Sequence, residues 1–120
     1  MSADLHPTEL TESEYNAKTR AVLASVEATI DKWLQDDLVD IDTQRTGGLL
    51  ELSFPNGSKI ILNTQQPLHE LWMAARSGGY HYKYMGTSWI DTREGREFFD
   101  ALSICATQQA GQPLRFTPPA

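Results

Sequence analysis

Residues 50–62 carry the pattern that most constrains the fold, a pair of apolar segments on either side of a tight-turn sequence. Leu50, Leu52 and Phe54 alternate with polar residues, and successive side chains of a β-strand point to opposite faces of the sheet. The following PNGS sequence supplies Asn and Gly, which accept the positive φ of a tight turn, before a second apolar strand returns. This stretch therefore predicts an antiparallel hairpin with one buried face.

Further short alternating segments extend the hairpin into a larger antiparallel sheet. Leu71 and Met73 share one face of their strand, which leaves Trp72 facing solvent. A later strand places three tyrosines on one face and His81 with Lys83 on the other; we expect the tyrosines inward, although the pattern also permits the reverse. The predicted strands span residues 38–42, 50–54, 59–63, 69–73, 80–85 and 87–90.

Two amphipathic helices are predicted, one before the strands in the chain and one after them. Thr11 and Glu14 form a capping-box pattern, which predicts a helix beginning there. A second helix is predicted over 93–110, after the cap pair Asp91 and Thr92, with its end at Gly111 and the apolar segment 114–116 packed between the helices. The apolar stripe of the first helix comprises Tyr15, Val22, Leu23, Val26, Ile30, Trp33 and Leu34.

This order of elements predicts an α+β fold, a two-layer α/β sandwich with two helices on one face of a five- to six-stranded antiparallel sheet. The other sheet face must then meet solvent or a partner. A chain of 120 residues can bury a sufficient core as one domain. We expect a single domain over 1–120, with a flexible arm at 1–10 and a frayed tail at 117–120.

The negative charge of the chain is concentrated at one end. The net charge is −6, and residues 1–42 hold ten acids against three bases. Such a field disfavours nucleic acid and anionic lipid, and it favours cations or a basic protein surface. The single cysteine, the lack of an apolar run of about 20 residues and the polar N-terminus predict a cytoplasmic protein without a membrane segment.

Six carboxylates form the strongest candidate for a metal site. Two lie four residues apart on the first helix and so share a face, and the others follow the helix. Hard oxygen ligands suit hard cations, and a surface row without fixed geometry binds several metals weakly; the alternative is an ordinary solvated face. We call these residues the acidic ridge: Glu27, Asp31, Asp36, Asp37, Asp40 and Asp42.

The remaining candidates indicate protein binding rather than catalysis. No nucleophile motif or phosphate-binding loop is present, so we predict that the chain is not an enzyme. Cys105 lies on the apolar stripe of the second helix, where a buried structural role is expected. Trp72, beside Asn63 and Gln65 across the sheet, has the composition of a partner-binding surface.

Several long motifs resemble the frataxin family, in its bacterial branch. They are NGSKIILNTQQPLHELW, GGYHY, GTSWID and ATQQAG, and the similarity covers residues 11–116. The resemblance implies a monomeric α/β sandwich that binds Fe²⁺ and Fe³⁺ weakly on the acidic ridge. It also implies binding to the cysteine desulfurase and scaffold protein of iron–sulfur cluster assembly, with Trp72, Asn63 and Gln65 as the sheet surface.

Two other functions remain open from the sequence. One is an iron-storage or ferroxidase-type protein that forms an iron-dependent oligomer. Such a protein requires a defined metal centre. The other is a protein-binding module without a physiological metal, in which the acids serve only docking.

Overall fold

The hairpin forms as predicted, and neither of its strands is at an edge of the sheet. In the computed structural model, which describes residues 6–119, its strands are β2 (Leu49–Ser53) and β3 (Lys59–Gln65). Leu50 lies opposite Leu62 and Leu52 opposite Ile60, and all four side chains are fully buried. The alternating pattern therefore defines the inner face of the sheet.

The six strands are antiparallel and follow one another across the sheet in chain order, with a helix at each end of the chain. Residues of both helices and of the inner sheet face form one buried core, which confirms the predicted α+β sandwich. The other elements are α1 (Glu12–Gln35), β1 (Asp42–Thr46), a 3₁₀ turn (Gln66–Leu68), β4 (Glu70–Ala75), β5 (Gly78–Met85), β6 (Ser88–Asp91) and α2 (Phe98–Ala110).

The first helix begins at the predicted capping box. Thr11 Oγ1 accepts a hydrogen bond from the Glu14 amide at 3.1 Å, and Glu14 Oε1 accepts one from the Thr11 amide at 2.9 Å. Most of the predicted apolar stripe is buried against the sheet, but Leu34 is 51% exposed. The prediction for Leu34 is wrong because this residue lies in the last turn of α1, beyond the part of the helix that the sheet covers.

The first strand lies four residues later than predicted. It spans Asp42–Thr46, not 38–42, because a tight turn at 47–48 pairs Thr46 directly with Leu49 and Asp42 with Ser53. The preceding residues form the exit from α1, in which Asp37 adopts a left-handed φ of 56°. Ile41 is nevertheless buried. The alternation of polar and apolar residues at 38–42 therefore reflects this burial, although these residues do not pair as a strand.

The second helix begins five residues later than predicted. The Asp91 side chain does accept hydrogen bonds from the amides of Arg93 and Glu94, but Gly95, with φ of 76°, then turns the chain. Glu97 is the cap: its carboxylate accepts from the amides of Phe99 at 2.8 Å and Asp100 at 3.0 Å. The predicted end at Gly111 is confirmed.

Contacts of the two ends of the chain complete the core. Phe116 is buried, lies 4.8 Å from the Trp33 ring of α1, and donates its amide to Ser103 Oγ of α2, so the predicted packing between the helices is confirmed. Of the predicted arm, residues 1–5 lie outside the described part. Thr8 donates its amide to Tyr84 O and accepts from the Gly86 amide, both at 2.7 Å. The flexible arm and frayed tail stay predictions.

None of the helices among residues 6–119 is long and apolar enough to cross a membrane.

The two candidate caps of α2 predict different effects of mutation. Glu97→Ala removes two hydrogen bonds to the first turn and should lower the free energy of unfolding by about 1 kcal/mol. Thr92→Ala should change it by less than about 0.5 kcal/mol, because Thr92 is exposed and outside the helix. Chemical denaturation of both variants provides the measurement. An equal loss for the two would contradict the assignment of the cap.

Candidate functional site: the acidic ridge and the outer sheet face

The acidic ridge lies where α1 ends and the edge strand β1 begins. Glu27 and Asp31 project from α1, Asp36 is its C-cap residue, and Asp37 follows in the left-handed conformation. The chain then extends to Asp40 and Asp42, and Asp42 opens β1. Glu27 is half-buried and the other five are exposed.

Two of the six ridge carboxylates are already paired with bases. Arg45 Nη1 contacts Glu27 Oε1 at 2.7 Å, and its Nε donates to Gly47 O at 2.9 Å, so the arginine joins the edge strand to α1. Lys32 Nζ contacts Asp36 Oδ2 at 2.9 Å within the helix end. The sequence did not predict the pairing of Arg45, because Arg45 lies beyond the strand expected at 38–42. The other four acids appear in no ion pair between described residues: Asp31, Asp37, Asp40 and Asp42.

Within residues 6–119, no three His, Cys, Asp or Glu side chains are grouped so that they could hold a metal ion. The ridge carboxylates are thus spread along a surface rather than gathered around one point.

Trp72 lies on the outer sheet face between two neighbouring strands. Its cross-strand partners are Asn63 on β3 and His81 on β5. The indole stacks on the His81 ring, with ring centroids 4.0 Å apart and planes 5° from parallel. Trp72 is half-buried, so the predicted solvent-facing indole has one of its faces covered by the imidazole.

Glu70 holds this aromatic pair in place, a role that was not predicted from the sequence. Its Oε1 accepts a hydrogen bond from Trp72 Nε1 at 2.7 Å, and its Oε2 lies 3.3 Å from Lys83 Nζ. His81 Nδ1 lies 3.8 Å from Oε1. The sequence does indicate that Glu70 and Trp72 share a face, because residues two apart on a strand point to the same side. Only the β4–β5 register shows that Lys83 lies opposite Glu70.

The other predicted site residues have these positions. Gln65 ends β3 opposite Glu70 and is half-buried. His69 stacks on Tyr15 with ring centroids 4.8 Å apart, in agreement with a structural histidine on the core side. Cys105 is 5% exposed and lies 3.6 Å from Ser77 Oγ, as expected for a buried residue of α2.

Comparison with solved structures identifies the fold. The chain resembles the structure of frataxin from Psychromonas ingrahamii with a TM-score of 0.81 and 35% identity, over 90% of this chain and 99% of that one. It also resembles trimeric frataxin from the yeast Saccharomyces cerevisiae, described as complexed with ferrous, with a TM-score of 0.66 and 20% identity over 89% and 94% of the two chains. The second likeness concerns the fold alone.

Sequence comparison agrees with this fold. Residues 8–112 match the model of the frataxin-like domain. The iron-sulfur cluster assembly protein CyaY of Variovorax paradoxus is 52% identical over 107 residues, 89% of this chain and 97% of the relative. The protein of the same name from Polaromonas sp. is 47% identical over 92% and 95% of the two chains. The chain therefore belongs to the frataxin family, whose members are not enzymes, as predicted.

Tyr15 connects Glu70 of the outer sheet face to the core. Its raised pKa leads us to expect that the protein loses stability at alkaline pH. Its hydroxyl donates to Glu70 O at 2.5 Å, and burial raises the pKa of Tyr15 from 10.0 to about 12. The phenol is therefore harder to ionise in the folded protein than in the unfolded chain, and stability should fall as pH rises from about 10 to about 12. Chemical denaturation across this range measures the fall.

Tyr15→Phe provides the control for this pH dependence, because it lacks the ionisable group. The variant should be less stable at neutral pH through loss of the hydrogen bond, by about 1 kcal/mol. Its alkaline loss should be smaller than that of the parent protein. Equal slopes above pH 10 would show that other groups cause the loss.

Proposed function

We propose that this protein regulates iron–sulfur cluster assembly in the cytoplasm, by binding Fe²⁺ and Fe³⁺ weakly on the acidic ridge and docking on the cysteine desulfurase and its scaffold protein. The observation that carries the proposal is the match, over nearly the whole length, to relatives named iron-sulfur cluster assembly protein CyaY. The protein acts as a monomer, and iron is cargo that it exchanges.

In this proposal the iron ligands are four exposed ridge acids that form no ion pair with another described residue: Asp31, Asp37, Asp40 and Asp42. An incoming cation therefore replaces water at these carboxylates. Carboxylate oxygens suit iron as hard ligands, and separate surface carboxylates bind it weakly and without strong selectivity. Weak binding is appropriate for a protein that passes iron on, because tightly held cargo leaves slowly.

Arg45 limits the negative charge of the ridge in this proposal. Its contact with Glu27 neutralises one carboxylate and fixes the edge strand against α1. A cation at the ridge then interacts mainly with the acids that follow the helix. The ridge thus concentrates its charge at the exit from α1, where a basic partner surface has unobstructed access.

Docking uses two kinds of contact. The excess of acids over bases in residues 1–42 steers a basic surface of the desulfurase toward the ridge, an effect that salt screens. Trp72 supplies the apolar contact on the outer sheet face, with Asn63 and Gln65 beside it. Because Glu70 already occupies the indole N–H, Trp72 offers a partner its ring surface and not a hydrogen bond.

The ridge is tested by Asp40→Asn/Asp42→Asn. In an anaerobic Fe²⁺ titration followed by amide NMR, the variant should show weaker responses between residues 27 and 42. Its affinity for purified desulfurase should fall about fivefold at low salt and less at high salt, since each exposed charge contributes about 0.5 kcal/mol. The control is Glu94→Gln/Asp100→Asn, which removes two acids that lie outside residues 1–42.

Each arm of this experiment separates one function from another. Unchanged desulfurase affinity in the ridge variant, with the control behaving alike, would rule out electrostatic docking by the ridge. If the desulfurase perturbs residues 27–42 but iron does not, the protein is a binding module without a physiological metal. Iron-dependent growth in size, measured by analytical ultracentrifugation, would favour a storage role instead.

Trp72→Ala tests the outer face separately from the ridge. The variant should bind Fe²⁺ like the parent protein but weaken the complex with desulfurase and scaffold by about 2 kcal/mol, because a buried aromatic anchor contributes that much. Leu68→Ala, which truncates an apolar side chain that is 50% exposed in the 3₁₀ turn, is the control. Isothermal titration calorimetry gives both affinities. Equal affinities for the two variants would exclude Trp72 as the anchor.

A further inference from the structure

His81 is the more accessible member of the aromatic pair on the outer sheet face. Its side chain is 50% exposed, whereas Trp72 is half-buried, and the two rings are parallel with centroids 4.0 Å apart. A protein interface covers a continuous patch of surface, so a partner that covers the indole also covers the imidazole. His81 therefore belongs to the same docking surface as Trp72.

One carboxylate among the described residues lies within ion-pair distance of this imidazole, and it is already shared. Glu70 Oε1 lies 3.8 Å from His81 Nδ1 and accepts the Trp72 indole N–H at 2.7 Å. Its Oε2 lies 3.3 Å from Lys83 Nζ, which projects from the same strand as His81. The negative charge of Glu70 is thus balanced by Lys83 while the imidazole is neutral.

The segment after β6 adds a positive charge beside β5. The amide of Thr92 donates to His81 O at 2.9 Å, and the next residue, Arg93, donates from Nη2 to Gly79 O at 3.4 Å. None of the ion pairs between described residues includes Arg93. Asn63, beyond Trp72 on β3, adds no charge. A proton on His81 therefore adds a further cation to a patch in which two bases surround one acid.

The charge of the imidazole determines what it costs to cover this patch. Histidine is the side chain that ordinarily gains its charge between pH 8 and 5. A neutral imidazole stacked on an indole can be covered by an apolar surface at little cost, whereas an imidazolium must lose its water. The Glu70 carboxylate offsets little of this cost, because it also contacts Lys83. An apolar, uncharged partner surface therefore fits the neutral form.

We propose that His81 makes docking at the outer sheet face depend on pH, with the neutral imidazole as the binding form. The partner covers both rings with an apolar, uncharged surface, and docking excludes the proton from His81. Docking therefore weakens as pH falls, and formation of the complex in mildly acidic solution releases protons. This inference rests on the proposed docking of Trp72 on the desulfurase and its scaffold protein, and it adds the chemistry of the partner surface.

Isothermal titration calorimetry of the full-length protein into the purified desulfurase–scaffold complex tests this pH dependence. Titrations at pH 8.0, 7.0 and 6.0, each in two buffers of different ionisation enthalpy, give both the affinity and the number of protons released. Between pH 8.0 and 6.0 the affinity should fall at least about threefold, within the limit of about tenfold per pH unit that one proton sets.

Two histidine variants assign the effect to one side chain. His81→Phe keeps an aromatic ring beside Trp72 but has no titrating group, so the fall in affinity and the proton release should both be lost. His6→Gln removes an exposed histidine from the N-terminal segment and should behave like the parent protein. Any titration of the partner proteins affects all three forms equally.

The indole N–H signals of the free ¹⁵N-labelled protein provide a second measurement. Between pH 8.0 and 5.5 the Trp72 signal should move as the stacked imidazole takes up its proton, and His81→Phe should remove this movement. Trp33, which lies beside Phe116, is the internal reference and should not follow it. A Trp72 signal that does not respond to pH would overturn the inference.

The outcomes separate this inference from the proposed function. If His81→Phe loses affinity on acidification as the parent does, or if the parent binds more tightly at pH 6.0 than at pH 8.0, the inference is wrong and docking itself stands. If the parent protein does not bind the desulfurase–scaffold complex at any pH, the proposed function fails, and this inference fails with it.

Discussion

Burial of the inner sheet face is the interaction on which the rest of this structure depends. The strands β2 to β5 present one continuous apolar surface to the helices, with side chains that are at most 2% exposed: Leu50, Leu52, Ile60, Leu62, Leu71, Met73 and Tyr82. Because both helices cover this face, the opposite face remains open. The packing that stabilises the domain therefore leaves the outer face of the sheet open.

The hydrogen bonds of Gln109 show how the end of α2 holds the central hairpin in position. This buried side chain donates to Lys59 O at 3.1 Å and accepts the Arg76 amide at 3.0 Å, while Asn56 donates to its backbone carbonyl at 2.7 Å. Buried polar groups of this kind are costly unless they are satisfied, and here the partners are supplied by the β2–β3 and β4–β5 turns. The loops at this end are thus fixed to the helix, and the outer face that they border is a defined surface.

The open face and the edges of the sheet carry different chemistry. The middle of the outer face presents Trp72, oriented by Glu70 and stacked on His81. The β1 edge carries carboxylates, two of which are already neutralised by Arg45 and Lys32. The β6 edge carries a pocket whose lining includes Lys18, Glu97 and Tyr84.

Features that depend on neighbouring residues were determined by the sequence alone. The alternation at Leu50, Leu52 and Phe54, the capping box of Thr11 and Glu14, and the helix end at Gly111 all follow from local geometry with a fixed period or a fixed backbone angle. The family was also recognisable, because long motifs such as NGSKIILNTQQPLHELW retain their residue order. The acids of the ridge could also be identified from the sequence, and the alternation of side chains along β4 predicted that Trp72 lies on the outer face.

Features that depend on distant residues were decided by tertiary structure. The register that pairs Thr46 with Leu49 moved the first strand away from 38–42, where alternation reflected only the burial of Ile41 and Val39. The contacts of Arg45 with Glu27, and of Glu70 with Lys83, join elements whose separation in the chain hides their proximity. The pocket at the β6 edge likewise needs four segments to meet. The physical reason is that side-chain charge and packing act through space, whereas periodicity and capping act along the chain.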